Sequence, residues 1–462
     1  MATNANVKPF GMRDKIGYMF GDFGNDMTFI FQSMFLMVFY TEVLGIPGSA
    51  VGTLFLVSRI VDAFTDVGMG RIVDTSKPHP DGKFRVWIKR IAGPVAIASF
   101  LMYQVGMQDA SMTTKMIYMY VTYLLWGSIC YTAINIPYGS MASAITADPD
   151  GRTQLSTFRT VGATLAGLII GAVTPLFIYD SMGRVKTDMT FTVVAGVFSI
   201  LAIVFYALCY FMTTERVKIQ KDENASNPSL GETFSAVFTS RSLQGIVLSA
   251  LFMICGQLVM GSMNNYVFPN YYNSAAGISI VNTLNPLLVL AIAAPLGPVL
   301  AKRFGKKEVG IVGMLVSTIS YAILFLLRPD NMYVFIAFLS IAYLGFGIFN
   351  TVIWACIIDV IDDIEVATGD RDDGTIYALY SFARKVGQAL AGAAAGWLLT
   401  GIGYVSGAET QTAEVIDRVF NVAVLVPGVA YLLAALSLMF IYPLGKKRVD
   451  SNAAILAERR GH

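Results

Sequence analysis

Charge is scarce in this chain of 462 residues: Asp, Glu, Lys and Arg together make up only 14% of it. That is too little to cover a soluble core of this length with a polar shell, which excludes the ordinary globular class. Histidine is scarcer still, with only His79 and the terminal His462, so a His-based proton relay is excluded. The four cysteines, Cys130, Cys209, Cys255 and Cys356, all lie in apolar stretches. They show no metal-ligand spacing and read as packed thiols rather than disulfides. No Walker loop, no His-Glu zinc motif and no Gly-x-Ser-x-Gly elbow occurs. With a net charge of +2 and no basic block, nothing favours a nucleic-acid partner.

What the chain has instead is apolar length. Apolar residues make up 55% of it and the mean hydropathy is +0.60, as expected of a polytopic membrane protein. The first sixteen residues are polar and lack a secretory signal, so the first hydrophobic helix is expected to act as its own insertion signal. Twelve apolar runs bounded by charge or by Gly, Pro and Asn predict helices at 17–42, 49–73, 86–107, 115–146, 155–179, 189–213, 242–270, 277–301, 309–328, 332–362, 375–402 and 420–443. Each run is apolar throughout rather than alternating, which favours helices over barrel strands. The sequence therefore predicts an all-α membrane protein of twelve transmembrane helices in two six-helix bundles.

Roughly 25 of the 33 Lys and Arg fall in the N-terminal tail, the even-numbered loops and the C-terminal tail. Both termini are therefore expected on the cytoplasmic side of the cell membrane. The domain reading is an N-terminal bundle over 1–213, a cytoplasmic middle loop over 214–241, a C-terminal bundle over 242–443 and a tail over 444–462. A short amphipathic surface helix is expected late in the middle loop, and the basic tail reads as a solvated end. The halves echo each other: GRIVDTSKPHPDGKFR after helix two and GPVLAKRFGKKE after helix eight each place Gly, a charged cluster and then Gly-Lys. Repeats of this kind are a trace of transporters built from two related bundles.

Some charge nevertheless lies inside the apolar runs. Arg59, Asp62 and Asp66 recur at three and four residues in VGTLFLVSRIVDAFTDVGMGRIVD and share one face of helix two. A central membrane charge costs about 2.5–3.5 kcal/mol even on the lenient insertion scale, so this face must look into protein. One Arg and one Asp would suffice for a static bridge. The second carboxylate needs a proton or a bound cation. Asp22 and Asp26 lie in helix one, Arg159 in helix five, Trp354, Asp359 and Asp362 in helix ten, and Arg384 and Lys385 in helix eleven. Their spread over several helices suggests a shared polar cavity. Helix four adds Thr132 and Asn135 before Pro137, whose missing N–H frees a carbonyl.

Together GDFGND, VGTLFLVSRIVDAFTD, DGKFR, YTAINIPYGS and YSFARKVGQA resemble the glycoside-pentoside-hexuronide:cation symporters, the melibiose-permease group of the major facilitator superfamily. The resemblance covers nearly the whole chain and implies the major facilitator fold. It implies a cation site at Asp62, Asp66 and Thr132, with Thr65 as polar neighbour; these would be metal ligands only if the coupling ion is Na⁺. It implies sugar contacts from Asp26, Arg159, Trp354 and Lys385, with Tyr380 and Ser381 at sugar-facing positions. Asn135 stands where the melibiose permease has a second sugar-binding aspartate, Gly139 where it has an aromatic residue, and Asn25 where it has a lysine. With one acid fewer, and Arg384 beside Lys385, the cavity is expected to be more cationic and to take a pentoside or hexuronide. The coupling ion is H⁺ or Na⁺, with H⁺ favoured because a carboxylate pair needs nothing more to carry a proton. No enzymatic activity and no cofactor are expected. The expected partners are a small-molecule sugar and membrane lipids, and the protein is expected to act as a monomer. Rival readings are a facilitator-type carrier of lipid-like substrates, an uncoupled sugar facilitator, and a membrane enzyme or receptor. The polar groups at Asp26, Arg159 and Trp354 count against a lipid cleft. No nucleophile set or extramembrane domain supports an enzyme or receptor.

Overall fold

Long apolar runs fold as helices because a helix satisfies its own backbone hydrogen bonds within one segment. The computed structural model describes residues 9–76, 79–180, 183–217, 240–369 and 373–459, leaving aside the side chains of residues 74, 149, 373–375, 377, 378, 381 and 382. Among the described residues twelve long helices run in chain order: α1 (Met12–Val38), α2 (Gly48–Thr75), α3 (Arg85–Leu101), α4 (Met112–Ile145), α5 (Pro149–Ile178), α6 (Thr190–Met212), α7 (Arg241–Tyr271), α8 (Ala276–Phe304), α9 (Lys306–Leu327), α10 (Met332–Thr368), α11 (Asp373–Gly401) and α12 (Ala413–Ile441). A further helix, α13 (Lys446–Arg459), follows them. Eight of the twelve are long and apolar enough to cross a membrane by length and composition alone. The other four are α3, which has 17 residues, and α1, α2 and α11, which carry charged residues within their length.

Side chains start several of these helices. Ser111, Asp148, Ser240, Asn331 and Thr412 each accept a hydrogen bond from a backbone N–H of the first turn, satisfying donors that have no helical partner. The α4 helix is not uniform: Leu125–Tyr131 form a π-helical turn, while the helix continues through Pro137 to Ile145. The irregularity expected at the proline thus has a counterpart one to three turns earlier, facing α2.

The helices group into two units, α1–α6 and α7–α13. The same pairings recur in each. The first helix packs on the sixth and fifth (α1 on α6 and α5, α7 on α12 and α11), the third on the sixth, and the second on the fourth. Details at the helix ends repeat as well. Gly82 and Gly305, the glycines of the two Gly-Lys echoes, have φ of +105° and +108°, a region that favours glycine. Arg85 then donates to the carbonyl of Tyr210 at the end of α6, and Lys307 to that of Tyr442 after α12. Arg13 and Arg241 likewise donate to the carbonyls of Phe211 and Phe440.

Beyond α6, residues 213–217 bind three helix ends of the first unit. The Glu215 carboxylate accepts from the backbone N–H groups of Lys83, Phe84 and Arg85 at 2.7–2.9 Å, at the start of α3. Arg216 donates to both oxygens of Asp14 in α1 and to the carbonyl of Ile145 at the end of α4. The middle-loop residues 218–239, with the surface helix anticipated there, lie outside the described residues. The C-terminal segment differs from the solvated end anticipated for it. In α13, Arg448 and the buried Asn452 both donate to Oδ1 of Asp363 in α10 at 3.0 Å, and Leu456 is buried. An acid at the end of α10 and an apolar residue two turns along α13 give this helix a docking face that its overall polarity conceals.

In the second unit α9 and α10 approach closely through glycine. A Cβ added at Gly345 would lie 2.3 Å from the carbonyl oxygen of Gly313, and one at Gly313 would lie 2.6 Å from that of Gly345. A backbone carbonyl cannot swing aside as a side chain can. Gly345→Ala is therefore expected to cost about 1–3 kcal/mol, as overpacked cores do. The check is the unfolding temperature of the detergent-solubilised protein; an unchanged midpoint would mean that these helices separate freely.

Candidate functional site

In α2 the side chains of Asp62 and Asp66 are four residues apart, and in α4 so are those of Ser128 and Thr132. The two helices bring them together in register. The Ser128 hydroxyl donates to Oδ1 of Asp62 at 2.6 Å, and the Thr132 hydroxyl donates to Oδ1 of Asp66 at 3.0 Å. Arg59, one turn earlier in α2, reaches Oδ2 of Asp62 at 3.3 Å. Ser128 lies inside the π-helical turn, and Thr132 follows it directly. Such turns offset one helical face against the next and recur at functional sites. Thr65 turns its hydroxyl back to the carbonyl of Asp62 at 3.3 Å. The arrangement gathers two carboxylates, two buried hydroxyls and one guanidinium. It can hold a proton or, with oxygen atoms from both helices, a small cation.

A second polar cluster of the same unit surrounds Asp26. Its Oδ2 is buried and has no hydrogen-bond partner among the described residues. Arg159 of α5 does not pair with Asp26; its Nε donates to Oδ1 of Asp22, one turn earlier in α1, at 2.9 Å. The guanidinium also lies over the Tyr138 ring, with Cζ 5.2 Å from the centroid. That ring packs against α1, stacked on Tyr18 at 4.7 Å, and its hydroxyl donates to the Tyr18 carbonyl at 2.7 Å. The fit requires Gly21, where a Cβ would meet the Tyr138 ring at 2.2 Å. Asn25 donates to Asn135 at 3.4 Å and accepts from the Tyr206 hydroxyl at 2.8 Å. The lysine-to-Asn25 and aspartate-to-Asn135 departures thus face each other as a neutral amide pair.

In the second unit Trp354 of α10 meets Tyr380 of α11 edge to face at 4.9 Å. Arg384 lies beside both rings, with Cζ 5.6 Å from the Trp354 centroid and 5.8 Å from that of Tyr380, and its Nη1 is 3.4 Å from the Tyr380 hydroxyl. Beyond the Nη1 bond to the Tyr380 hydroxyl, a guanidinium beside aromatic rings can offer further N–H groups to a planar anion. Lys385 is exposed and points elsewhere on the helix, and Ser381 is in α11 with a side chain outside those described. Of the helix-ten acids, Asp359 is taken by Lys306 at 2.6 Å, at the start of α9.

Sequence reasoning did not single out Ser128, and it placed Asp22 only among the charged groups of a shared polar cavity. Both carried a signal, since Ser128 lies one turn before Thr132 and Asp22 one turn before Asp26. Tyr138 as the platform for Arg159 carried none, because its position depends on how α4 and α1 meet.

Residues 17–446 match the family described as MFS/sugar transport protein. The uncharacterized symporter YjmB of Bacillus subtilis (strain 168) is 34% identical over 443 residues, 95% of this chain and 93% of that one. The glucuronide carrier protein homolog of Escherichia coli (strain K12) is 33% identical over 438 residues, 94% of this chain and 93% of that one. Among solved structures, a bacterial homolog of the human lysosomal transporter Spinster, inward-facing and unoccupied, superposes with a TM-score of 0.69 at 11% identity, over 97% of this chain and 99% of that one. At that identity the likeness is one of fold. With twelve helices in two units of repeated pairing and a match along nearly its whole length, the chain belongs to the MFS/sugar transport protein family of multi-pass membrane transporters.

Proposed function

We propose that the protein is a symporter of the glycoside-pentoside-hexuronide:cation group, moving a pentoside or hexuronide inward with H⁺ or Na⁺ by alternating access. The observation that carries this reading is the matched pair Asp62–Ser128 and Asp66–Thr132. A facilitator would need no second carboxylate on an apolar helix, where each one is costly. A cation-coupled carrier does. A proton needs only the carboxylate pair and is the favoured coupling ion; for Na⁺ the ligands would be Asp62, Asp66 and Thr132. Asp26 with its open oxygen, Asn135 and Arg159 serve the sugar from the first unit. Further sugar contacts are assigned to Trp354, Tyr380, Ser381, Arg384 and Lys385. The Lys and Arg distribution supports both termini on the cytoplasmic side of the cell membrane.

Relatives that carry the names symporter and glucuronide carrier homolog support this class of substrate. Uptake of a labelled glucuronide and a labelled xyloside into membrane vesicles, with a pH or a Na⁺ gradient imposed in turn, tests the reading. Accumulation above the equilibrium level under one gradient is expected. Equilibration without accumulation under both would leave an uncoupled facilitator.

The charge of the substrate is tested at Arg384. If it meets a hexuronide carboxylate, the charge-assisted hydrogen bond contributes about 1.5–3 kcal/mol. Arg384→Gln is then expected to weaken glucuronide binding by about tenfold or more while leaving the matching glucoside or xyloside little affected. Equal losses for both would make Arg384 a packing partner of Trp354 and Tyr380. A wild-type preference for the neutral sugar would leave the pentoside as substrate.

A further inference from the structure

We propose that Asp22 is a specificity-determining residue: by occupying the Nε edge of Arg159 it makes this cluster of the first unit a site for sugar hydroxyls and bars a carboxylate from it. The inference rests on the proposed sugar transport and assigns the orientation of the substrate's charged group within it.

Arg159 is the cation paired with an acid of this cluster, Asp22, at 2.9 Å, while Arg59, which also acts on Tyr131, is itself held by Asp62 at 3.3 Å. The pair is asymmetric in exposure. The Asp22 side chain is 8% exposed and that of Arg159 40%, so the acid is enclosed while part of the guanidinium remains open. Tyr138 fixes the guanidinium from one side, at 5.2 Å, and Asp22 fixes it along one edge. A guanidinium has five N–H donors, and the Nε bond to Asp22 and the neighbouring Tyr18 hydroxyl still leave Nη donors for another acceptor. One turn further along α1 stands the buried, unpartnered oxygen of Asp26. Other polar neighbours, Tyr18, Asn25, Asn135, Tyr131 and Tyr206, are neutral amides and phenols.

The cluster therefore holds two acidic side chains and one guanidinium whose charge is already matched. An incoming carboxylate would gain little from Arg159 and would face Asp22 and Asp26 in a medium of low dielectric. A sugar hydroxyl fits both features, since it can donate to Oδ2 of Asp26 and accept from an Arg159 Nη group. A hexuronide must then bring its hydroxyl edge, and not its carboxylate, to this cluster. Removing the charge of Asp22 releases Arg159 as an anion site.

The experiment measures binding of p-nitrophenyl glucuronide and p-nitrophenyl glucoside to the purified, full-length protein by isothermal titration. The quantity read is the ratio of the two dissociation constants, which a loss of general stability does not move. Asp22→Asn is expected to shift that ratio at least tenfold toward the glucuronide, and Asp22→Glu to leave it near the wild-type value. A ratio unchanged or shifted toward the glucoside in Asp22→Asn overturns the proposal while leaving the symport reading intact. If Asp22→Asn does not yield folded protein, Arg159→Gln decides: equal losses for both glycosides support the proposal, and a loss for the glucuronide ten times that for the glucoside overturns it. A wild-type protein that binds neither glycoside overturns the sugar reading and this inference with it.

Discussion

Vesicles carrying Asp62→Asn or Asp66→Asn are expected to accumulate no sugar under an imposed H⁺ or Na⁺ gradient, while exchange of sugar across the membrane survives in at least one of the two. Each substitution keeps the shape of the side chain and removes its charge. The contacts proposed for the sugar lie on α1, α4, α5, α10 and α11 rather than on α2, so binding and exchange do not need these carboxylates. Accumulation does, because it requires that cation binding and sugar binding be linked. The two variants also differ in what they leave behind. Asp62→Asn strands Arg59, which reaches Oδ2 of Asp62, whereas Asp66→Asn alters the contact with the Thr132 hydroxyl. The exchange activity is therefore expected to survive better in Asp66→Asn, since an abandoned membrane charge destabilises its surroundings. Full accumulation in both variants would remove the cation site from α2.

The second large effect is expected at the cluster proposed to bind the sugar. Asp26→Ala should weaken sugar binding at least tenfold, which is about 1.4 kcal/mol. Leaving a buried polar atom without a partner costs about 1–3 kcal/mol, a cost that a sugar hydroxyl at Oδ2 of Asp26 would remove, since that oxygen has no partner among the described residues. Because Oδ2 of Asp26 is a buried atom without a partner among the described residues, its removal offsets the packing lost on truncation, so the unfolding temperature is expected to change little. Arg159→Ala is expected to weaken sugar binding as strongly, but to lower stability too, because Asp22 is left buried without its partner. Titration calorimetry and thermal unfolding of the same preparations separate the two. Near-wild-type binding in Asp26→Ala would place the sugar elsewhere.

The helices were legible because length and continuous apolarity are properties of a segment read alone. Runs such as 189–213 and 242–270 correspond closely to α6 (Thr190–Met212) and α7 (Arg241–Tyr271). Spacing placed Asp62, Asp66 and Arg59 on one face for the same local reason. What spacing could not supply was the partner across the gap. The Asp62–Ser128 bond depends on the register of α4 against α2, and that register passes through a π-helical turn that no residue of LWGSICY announces. The choice of Asp22 over Asp26 as partner of Arg159 depends on where α5 crosses α1, a difference of one helical turn. The docking of α13 on Asp363 was hidden because two polar side chains and one leucine make a face too small to stand out in a basic sequence. Resemblance supplied the roles expected of Trp354 and Lys385, which the residues alone did not.

The coupling itself is best tested in the reverse direction, by adding a transported glycoside to lightly buffered, energy-depleted cells or vesicles and recording external pH and Na⁺. Symport predicts that sugar entering down its own gradient draws one of the two ions in with it, seen as a rise in external pH or a fall in external Na⁺, and that Asp66→Asn abolishes the signal. Entry of sugar with neither ion moving would contradict the account.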